Sequence, residues 1–340
     1  MDKPAVSIIL PSLRLAQLKQ CLASIKSYTV GITCEVIVIS PFDIEPYPNV
    51  VHVKETKPEG VYKAVDSGYE QARGEYLIHI PDDSRATPHW AGNMIEFMRP
   101  YDNEIFEGNF RHFDVRGERP EPGIYGKLFA PFLCIRKDKA DKIGGLMDCY
   151  YKSSWGDPDL SLRVWYNGGR VETCPNAWIY HADCNDEVHR ESHDKYFIRD
   201  QQAFVRKWHH IYARPGESKN FYASYPIEKQ NLLPGLPPEQ CARLYVSIKR
   251  RDWQAVRAIL TSKDTNFCFY PEGLSILYDY TMETLKLPGV PGETLNPVLE
   301  WIREKGYLTS SSNGKSRKAL SVLPRLWSSI KKIISPDKCL

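Results

Sequence analysis

No run of 18 consecutive apolar residues occurs in the 340-residue sequence, so it offers no candidate transmembrane helix. Met1-Asp2-Lys3-Pro4 leads straight into a strand-like run, not into an apolar signal region, and a cytoplasmic location is expected. No two of the nine cysteines form a C-x-x-C pair, their number is odd, and several lie in apolar runs. That pattern reads as reduced, buried thiols and argues against structural zinc. There is no G-x-G-x-x-G and no G-x-x-x-x-G-K-[ST], which argues against dinucleotide-binding and P-loop chemistry. A net charge of +3 is too small to imply nucleic acid as a partner.

What is present alternates between strand and helix signals. Val6-Ser7-Ile8-Ile9-Leu10 is an apolar run stopped by Pro11, and Leu15, Leu18, Leu22 and Ile25 follow at helical spacing. Glu35–Ile39 and Val50–Val53 are further β-branched runs, Gly60–Ala72 has a helical pattern, and Tyr76–Ile80 is a fourth strand stopped by Pro81. Short apolar strands separated by helices predict a mostly parallel α/β sheet covered on both faces. Such sheets bind ligands beyond the carboxyl ends of their strands, where Pro11, Ser40 and Asp82-Asp83 fall. Phe129–Ile135 is expected to be a strand, with helices over 138–143 and 159–166. Residues 214–238, rich in Pro, Gly and polar side chains, read as a linker, and 239–260 and 274–285 as helices behind it. The domains expected are therefore 1–212, a linker and helical extension over 213–308, and a flexible linker and tail over 309–340.

Two acidic constellations carry chemistry. In Pro81-Asp82-Asp83-Ser84, adjacent carboxylates at a strand end repel unless a cation or hydrogen-bond donors compensate. A divalent ion that also binds a diphosphate would do so, and Mg²⁺ or Mn²⁺ favours such oxygen ligands. The alternative is an acidic turn capping the next helix. In Trp155-Gly156-Asp157-Pro158-Asp159-Leu160, Asp159 suits the first turn of a helix. Asp157 is expected just outside it, with a carboxylate suited to a general base. The alternative is that both acids only cap the helix.

Taken together and in order, these motifs resemble glycosyltransferase family 2, the inverting enzymes of the GT-A fold, over about residues 4 to 210. Val6–Pro11 is similar to the family's opening strand, and Gly60-Val61-Tyr62-Lys63-Ala64-Val65-Asp66-Ser67-Gly68 to its G-I-Y-D-A-M-N-K-G helix. Ala72-Arg73-Gly74-Glu75-Tyr76-Leu77 before Pro81-Asp82-Asp83-Ser84 resembles the A-x-G-E-Y-L that precedes the metal-binding D-x-D. Ile143–Asp148 resembles I-G-G-F-D-E, and Gly156–Leu160 resembles E-D-x-D-L.

The resemblance implies a GT-A domain with a Rossmann-like sheet and a helical extension, and a hexosyltransferase-like reaction. A sugar would move from a nucleotide diphosphate, with a UDP-sugar the expected donor, to a hydroxyl of a glycan or lipid-linked acceptor in polysaccharide biosynthesis. It implies Asp83, Asp82 and His181 as ligands of Mn²⁺ or Mg²⁺ and Asp157 as catalytic base. Pro11, Ser40, Asp43, Asp66, Asp82 and Lys207 fall on the donor side, and Trp155 and Asp159 on the acceptor side. For His181 a solvent-facing strand end, and for Lys207 a solvated helix face, remain the alternatives. Two positions depart from the family pattern: Ser40-Pro41-Phe42-Asp43 stands where members carry a base-reading Asp, and Gly156 where they carry Glu. His189–His193 lacks the Glu of H-E-x-x-H and reads as a mobile loop near the active site.

The last 26 residues, from Lys315, carry seven Lys or Arg against one acid, with Leu320, Leu323, Trp327, Ile330 and Ile334 at helical spacing. Such a basic amphipathic tail suits the inner face of an anionic membrane. The alternative is packing on the chain itself or on a second subunit of a homo-oligomer. Two rival functions are kept: a sugar nucleotidyltransferase, which needs a longer Gly-rich loop than Pro11–Arg14 supplies, and a catalytically inactive nucleotide- or glycan-binding module.

Overall fold

The structure is a computed structural model and describes residues 3–182, 186–213, 222–224, 240–262 and 271–304. The chain divides into two compact units, Met1–Ala242 and Arg243–Leu340. The sequence placed the end of the first domain earlier, at 212. The Thr309–Gly314 linker and the basic tail lie outside the described residues.

In the first unit β1 (Val6–Pro11), α1 (Leu15–Tyr28), β2 (Cys34–Ser40), β3 (Val50–Lys54), α2 (Val61–Gln71) and β4 (Tyr76–His79) alternate as the apolar runs predicted. There follow β5 (Ser84–Ala86), α3 (Trp90–Met98), β6 (Phe106–Asp114) and the short strands β7 (Gly117–Glu118), β8 (Pro122–Ile124) and β9 (Lys127–Leu128). Then come β10 (Leu133–Arg136), α4 (Lys137–Lys142), α5 (Gly156–Tyr166), β11 (Arg170–His181), α6 (Glu187–Tyr212) and β12 (Tyr222–Ser224). The main sheet runs β3-β2-β1-β4-β10-β6-β11-β5, with β7 paired to β6. Strands β1 to β4 are parallel, and β10 runs antiparallel between β4 and β6. This is an α/β arrangement, a mostly parallel sheet in which β10, β5 and β7 supply the antiparallel part.

The strand period of two sorts side chains onto the two faces. Ile9, Ile37, Ile39 and Leu77 join the core with Val65, Leu160 and Phe204 of α2, α5 and α6. Ile8, Leu10, Val36, Val38 and Ile78 join the opposite core with Leu22, Trp90 and Met94 of α1 and α3. Burial on both faces explains why these strands are continuous apolar runs without alternation. Gly68 brings α2 down onto the sheet: a Cβ there would stand 2.7 Å from Ile9 Cγ2 and 2.8 Å from Ile39 Cδ1. Cys21, Cys134 and Cys174 are buried thiols, whereas Cys149 is exposed.

Three local expectations change. Helix α5 begins at Gly156, so Asp157 lies within its first turn and not outside it. Pro158 is tolerated there because the first helical N–H groups have no intrahelical acceptor to lose. The strand expected over 129–135 is β10, and starts only at Leu133. His189–His193 belongs to α6, a helix of 26 residues and not a loop.

In the second unit α7 (Gln240–Lys249, which begins in the first unit), α8 (Trp253–Thr261), α9 (Pro271–Thr284) and α10 (Gly292–Glu304) are helical. The single helix read over 239–260 is broken by Arg251 at φ 56°, after which Asp252 caps α8 by accepting from Ala255 N–H at 3.0 Å. Among the described residues no helix is long and apolar enough to cross a membrane.

Candidate active site

A cavity of about 880 Å³ opens at the carboxyl ends of β1 and β4, within the range of about 300–1,000 Å³ typical of small-ligand sites. Pro11, Asp82, Asp83, Asp157 and His181 all line it.

The acidic pair is held by its neighbours in space. Asp82 accepts a hydrogen bond from Ser12 Oγ at 2.7 Å and from Arg14 Nε at 3.2 Å. The Arg14 Nη2 group contacts the other Asp82 oxygen and reaches Asp83 Oδ2 at 3.1 Å. His181 arrives by strand register: it pairs with Ser84 across the antiparallel β11–β5 ladder, which sets its ring beside Asp83. Its Nε2 lies 3.3 Å from Asp83 Oδ1. Burial works to raise the Asp83 carboxyl, but the His181 hydrogen bond and the Arg14 charge outweigh it and hold Asp83 well below the usual carboxylate range. Burial pushes Asp82 upward even against Arg14. His112, half-buried near His181, is lowered to about 3, chiefly by its partial burial and then by His181 and Arg119.

Asp157, on the same cavity, is reached by Tyr62 of α2, whose hydroxyl donates to Oδ1 at 2.9 Å. Burial lifts the Asp157 carboxyl to about 6, and the Tyr62 hydrogen bond offsets part of that rise. The unexpected Gly156 has a steric cause. A Cβ at that position would stand 2.5–2.6 Å from the Tyr62 ring, so the tyrosine fills the space that a Glu would need. Trp155 precedes it at φ 75°, in the left-handed region, and its ring packs at a tilt against Phe197 and Phe204 of α6. Asp200, fully buried on α6, accepts from the N–H groups of Lys152 and Ser153 at 2.9 Å and of Ser154 at 3.2 Å. It thereby fixes the loop that leads to Asp157.

Several expected site residues stand elsewhere. Asp159 is buried in the core behind the cavity, where Tyr151 Oη, Arg163 Nε, Trp208 Nε1 and Lys207 Nζ lie at 3.1, 3.0, 2.8 and 2.7 Å. Lys207 is thus tied to Asp159, and to Asp148 at 3.3 Å, and is not among the cavity-lining residues. Ser40 is buried against His52 Nε2 at 3.0 Å and donates to the Phe42 carbonyl at 2.9 Å. Asp43 is exposed and paired with Lys54 at 2.7 Å, and Asp66 is paired with Lys63 at 3.3 Å. None of Ser40, Asp43, Asp66 and Trp155 lines the cavity. Asp159→Ala is expected to cost about 3–5 kcal/mol of stability, as removal of one member of a buried ion pair does. Urea denaturation measures it, and a loss below about 1 kcal/mol would contradict a buried structural role.

Sequence reasoning passed over Arg14, Tyr62 and Asp200. The first two stand inside the quoted motifs, in Pro11-Ser12-Leu13-Arg14 and Gly60-Val61-Tyr62, so the missing signal was position relative to the acidic pair for Arg14 and to Asp157 for Tyr62.

A mostly parallel α/β sheet thus places the acidic turn at the end of β4 and the Asp157 carboxylate on one cavity. Residues 7–149 match the model of glycosyl transferase family 2. The matched span holds Arg14, Tyr62, Asp82 and Asp83 and ends before Asp157 and His181. The uncharacterized protein y4gI of Sinorhizobium fredii is 24% identical over 263 residues, covering 64% of this chain and 29% of that protein. The chain therefore spans less than a third of the length of that relative.

Among solved structures, S. aureus TarS 1–349 is 12% identical with a TM-score of 0.45, covering 92% of this chain and 91% of its own. The mannosyltransferase PcManGT from Pyrobaculum calidifontis, in complex with GDP-Man and Mn²⁺, is 13% identical with a TM-score of 0.46, covering 92% and 86%. GalNAc-T7 with UDP, GalNAc and Mn²⁺ is 10% identical with a TM-score of 0.43, covering 64% and 53%.

Proposed function

We propose that this chain transfers a sugar from a nucleotide diphosphate donor to an acceptor hydroxyl, with inversion at the anomeric carbon. The observation that carries the reading is the placement of Asp82, Asp83 and His181 with Asp157 on the walls of one cavity. Ser12 and Arg14 orient Asp82, and Arg14 and His181 keep Asp83 ionised. Asp157 takes the proton of the acceptor hydroxyl as its oxygen bonds to C1 and the bond from C1 to the diphosphate oxygen breaks.

Among the described residues no group of three or more His, Cys, Asp or Glu side chains is arranged to hold a metal alone. Asp83 Oδ1 and His181 Nε2, 3.3 Å apart, nevertheless suit neighbouring ligands of an octahedral ion. Two donors at about 2.1 Å and a right angle lie about 3 Å apart, and such ions take their remaining ligands from phosphates and water. Asp83 and His181 would thus hold Mn²⁺ or Mg²⁺ beside Asp82. The ion would supply positive charge to the departing diphosphate.

A UDP-sugar is the donor to test first, with a glycan or lipid-linked hydroxyl as acceptor. The basic tail from Lys315 supports a contact with an anionic membrane surface. Purified protein is expected to release nucleoside diphosphate from a nucleotide sugar when acceptor and Mn²⁺ are present, and to slow sharply in EDTA. Release of pyrophosphate would indicate a nucleotidyltransferase instead, and tight donor binding without release an inactive module.

A pH dependence follows from Asp157. The base works ionised, so kcat/KM is expected to fall about tenfold per pH unit below about 6 and to level off above it. Tyr62→Phe removes a hydrogen bond that favours the ionised form, so the acid limb moves to higher pH. An acid limb unmoved in Tyr62→Phe would dissociate the tyrosine from the base.

A further inference from the structure

We infer that Arg14 is a phosphate-binding residue of the donor site and that Asp186 competes with the phosphate for it. The assignment rests on the donor reading above and adds a residue to it.

Arg14 leaves the end of β1 at the turn into α1 and lines the cavity. Its guanidinium has an inner and an outer side. On the inner side Nε and Nη2 hold Asp82 and Asp83, whose side chains are each only 5% exposed. On the outer side Nη1 reaches Asp186 Oδ2 at 3.2 Å, and that side chain is 40% exposed. The inner contacts fix the fork in place. The outer contact is to an acid partly in water, just ahead of α6.

A guanidinium edge receives a carboxylate or a phosphate in the same planar geometry. The Asp186 carboxylate, which does not itself line the cavity, therefore marks an edge of the cavity-lining Arg14 guanidinium that a phosphate oxygen fits. The electrostatics point the same way. Three carboxylates converge on the Arg14 guanidinium, and of the three only Asp186 has a side chain substantially in water. Exchanging Asp186 for a phosphate frees the acid into water, where its charge is screened. Asp186 is thus a competitor for the donor, and Arg14 the group competed for.

The test is binding of UDP and of GDP in Mn²⁺ by calorimetry, with the full chain. Asp186→Asn is expected to tighten binding about tenfold, because it keeps the shape and removes the competing charge. Arg14→Lys is expected to weaken binding, and Arg14→Met to weaken it about tenfold or more and to abolish the gain from Asp186→Asn in the double variant. Thermal melts report folding, and Arg14→Lys keeps the charge that the buried aspartates need. Unchanged or weaker binding in Asp186→Asn overturns the assignment while the donor reading stands. So does a full gain from Asp186→Asn in the Arg14→Met background. Failure of the folded wild type to bind either nucleotide overturns the donor reading and this assignment with it.

Discussion

Asp157→Asn is expected to bind the nucleotide donor nearly as the wild type does and to lose about 10²–10⁴ in transfer rate. The substitution keeps the side chain's size and its acceptance of the Tyr62 hydroxyl, which donates to Oδ1 at 2.9 Å. What it removes is the ability to accept a proton from the attacking hydroxyl. A base directed at the acceptor contributes little to holding the diphosphate, so the loss belongs in kcat and not in donor affinity. Measuring donor Kd by calorimetry and turnover by nucleotide release separates the two. Near wild-type turnover would remove Asp157 from the reaction. Asp159 is not its understudy, because it lies in the core with Arg163, Trp208, Tyr151 and Lys207 around it.

Asp83→Asn is expected to abolish the tightening of nucleotide binding by Mn²⁺. Asn presents a neutral oxygen in nearly the same volume, so the ionised ligand is lost while the packing is kept. Losing an outer-shell partner of a metal typically costs about 10–100-fold in affinity, and loss of a direct ligand is expected to cost at least about 100-fold. Titrating nucleotide with and without Mn²⁺, alongside circular dichroism to confirm folding, makes the comparison. The Mn²⁺ response should vanish while metal-free nucleotide binding, which needs no ionised ligand at this position, persists. An undiminished Mn²⁺ effect would move the metal away from Asp83.

Gly156 and Tyr62 show why the site was only partly legible. Along the sequence, Gly156 is a missing Glu and Tyr62 is one more aromatic residue on an amphipathic helix. In space one explains the other, since the ring occupies the volume a side chain at 156 would take. Asp157 and Asp159 offer the converse lesson. They sit two apart in one motif, yet one turns to the cavity and the other is enclosed by four donors, because successive helical positions point about 100° apart.

The sequence by itself determined the strands that bury both faces, their alternation with helices, the acidic turn after β4 and the order of the motifs. Each of these is a local matter: β-branched runs, helical spacing and turn residues act over a few neighbours. Only the tertiary structure decided that Arg14 braces Asp82 and Asp83, that His181 meets Asp83 through the β11–β5 register, and that Lys207 is tied to Asp159. Those pairings join residues 68, 98 and 48 positions apart or more. Which charge meets which is fixed by how sheet and helices pack in space, and no local pattern encodes it.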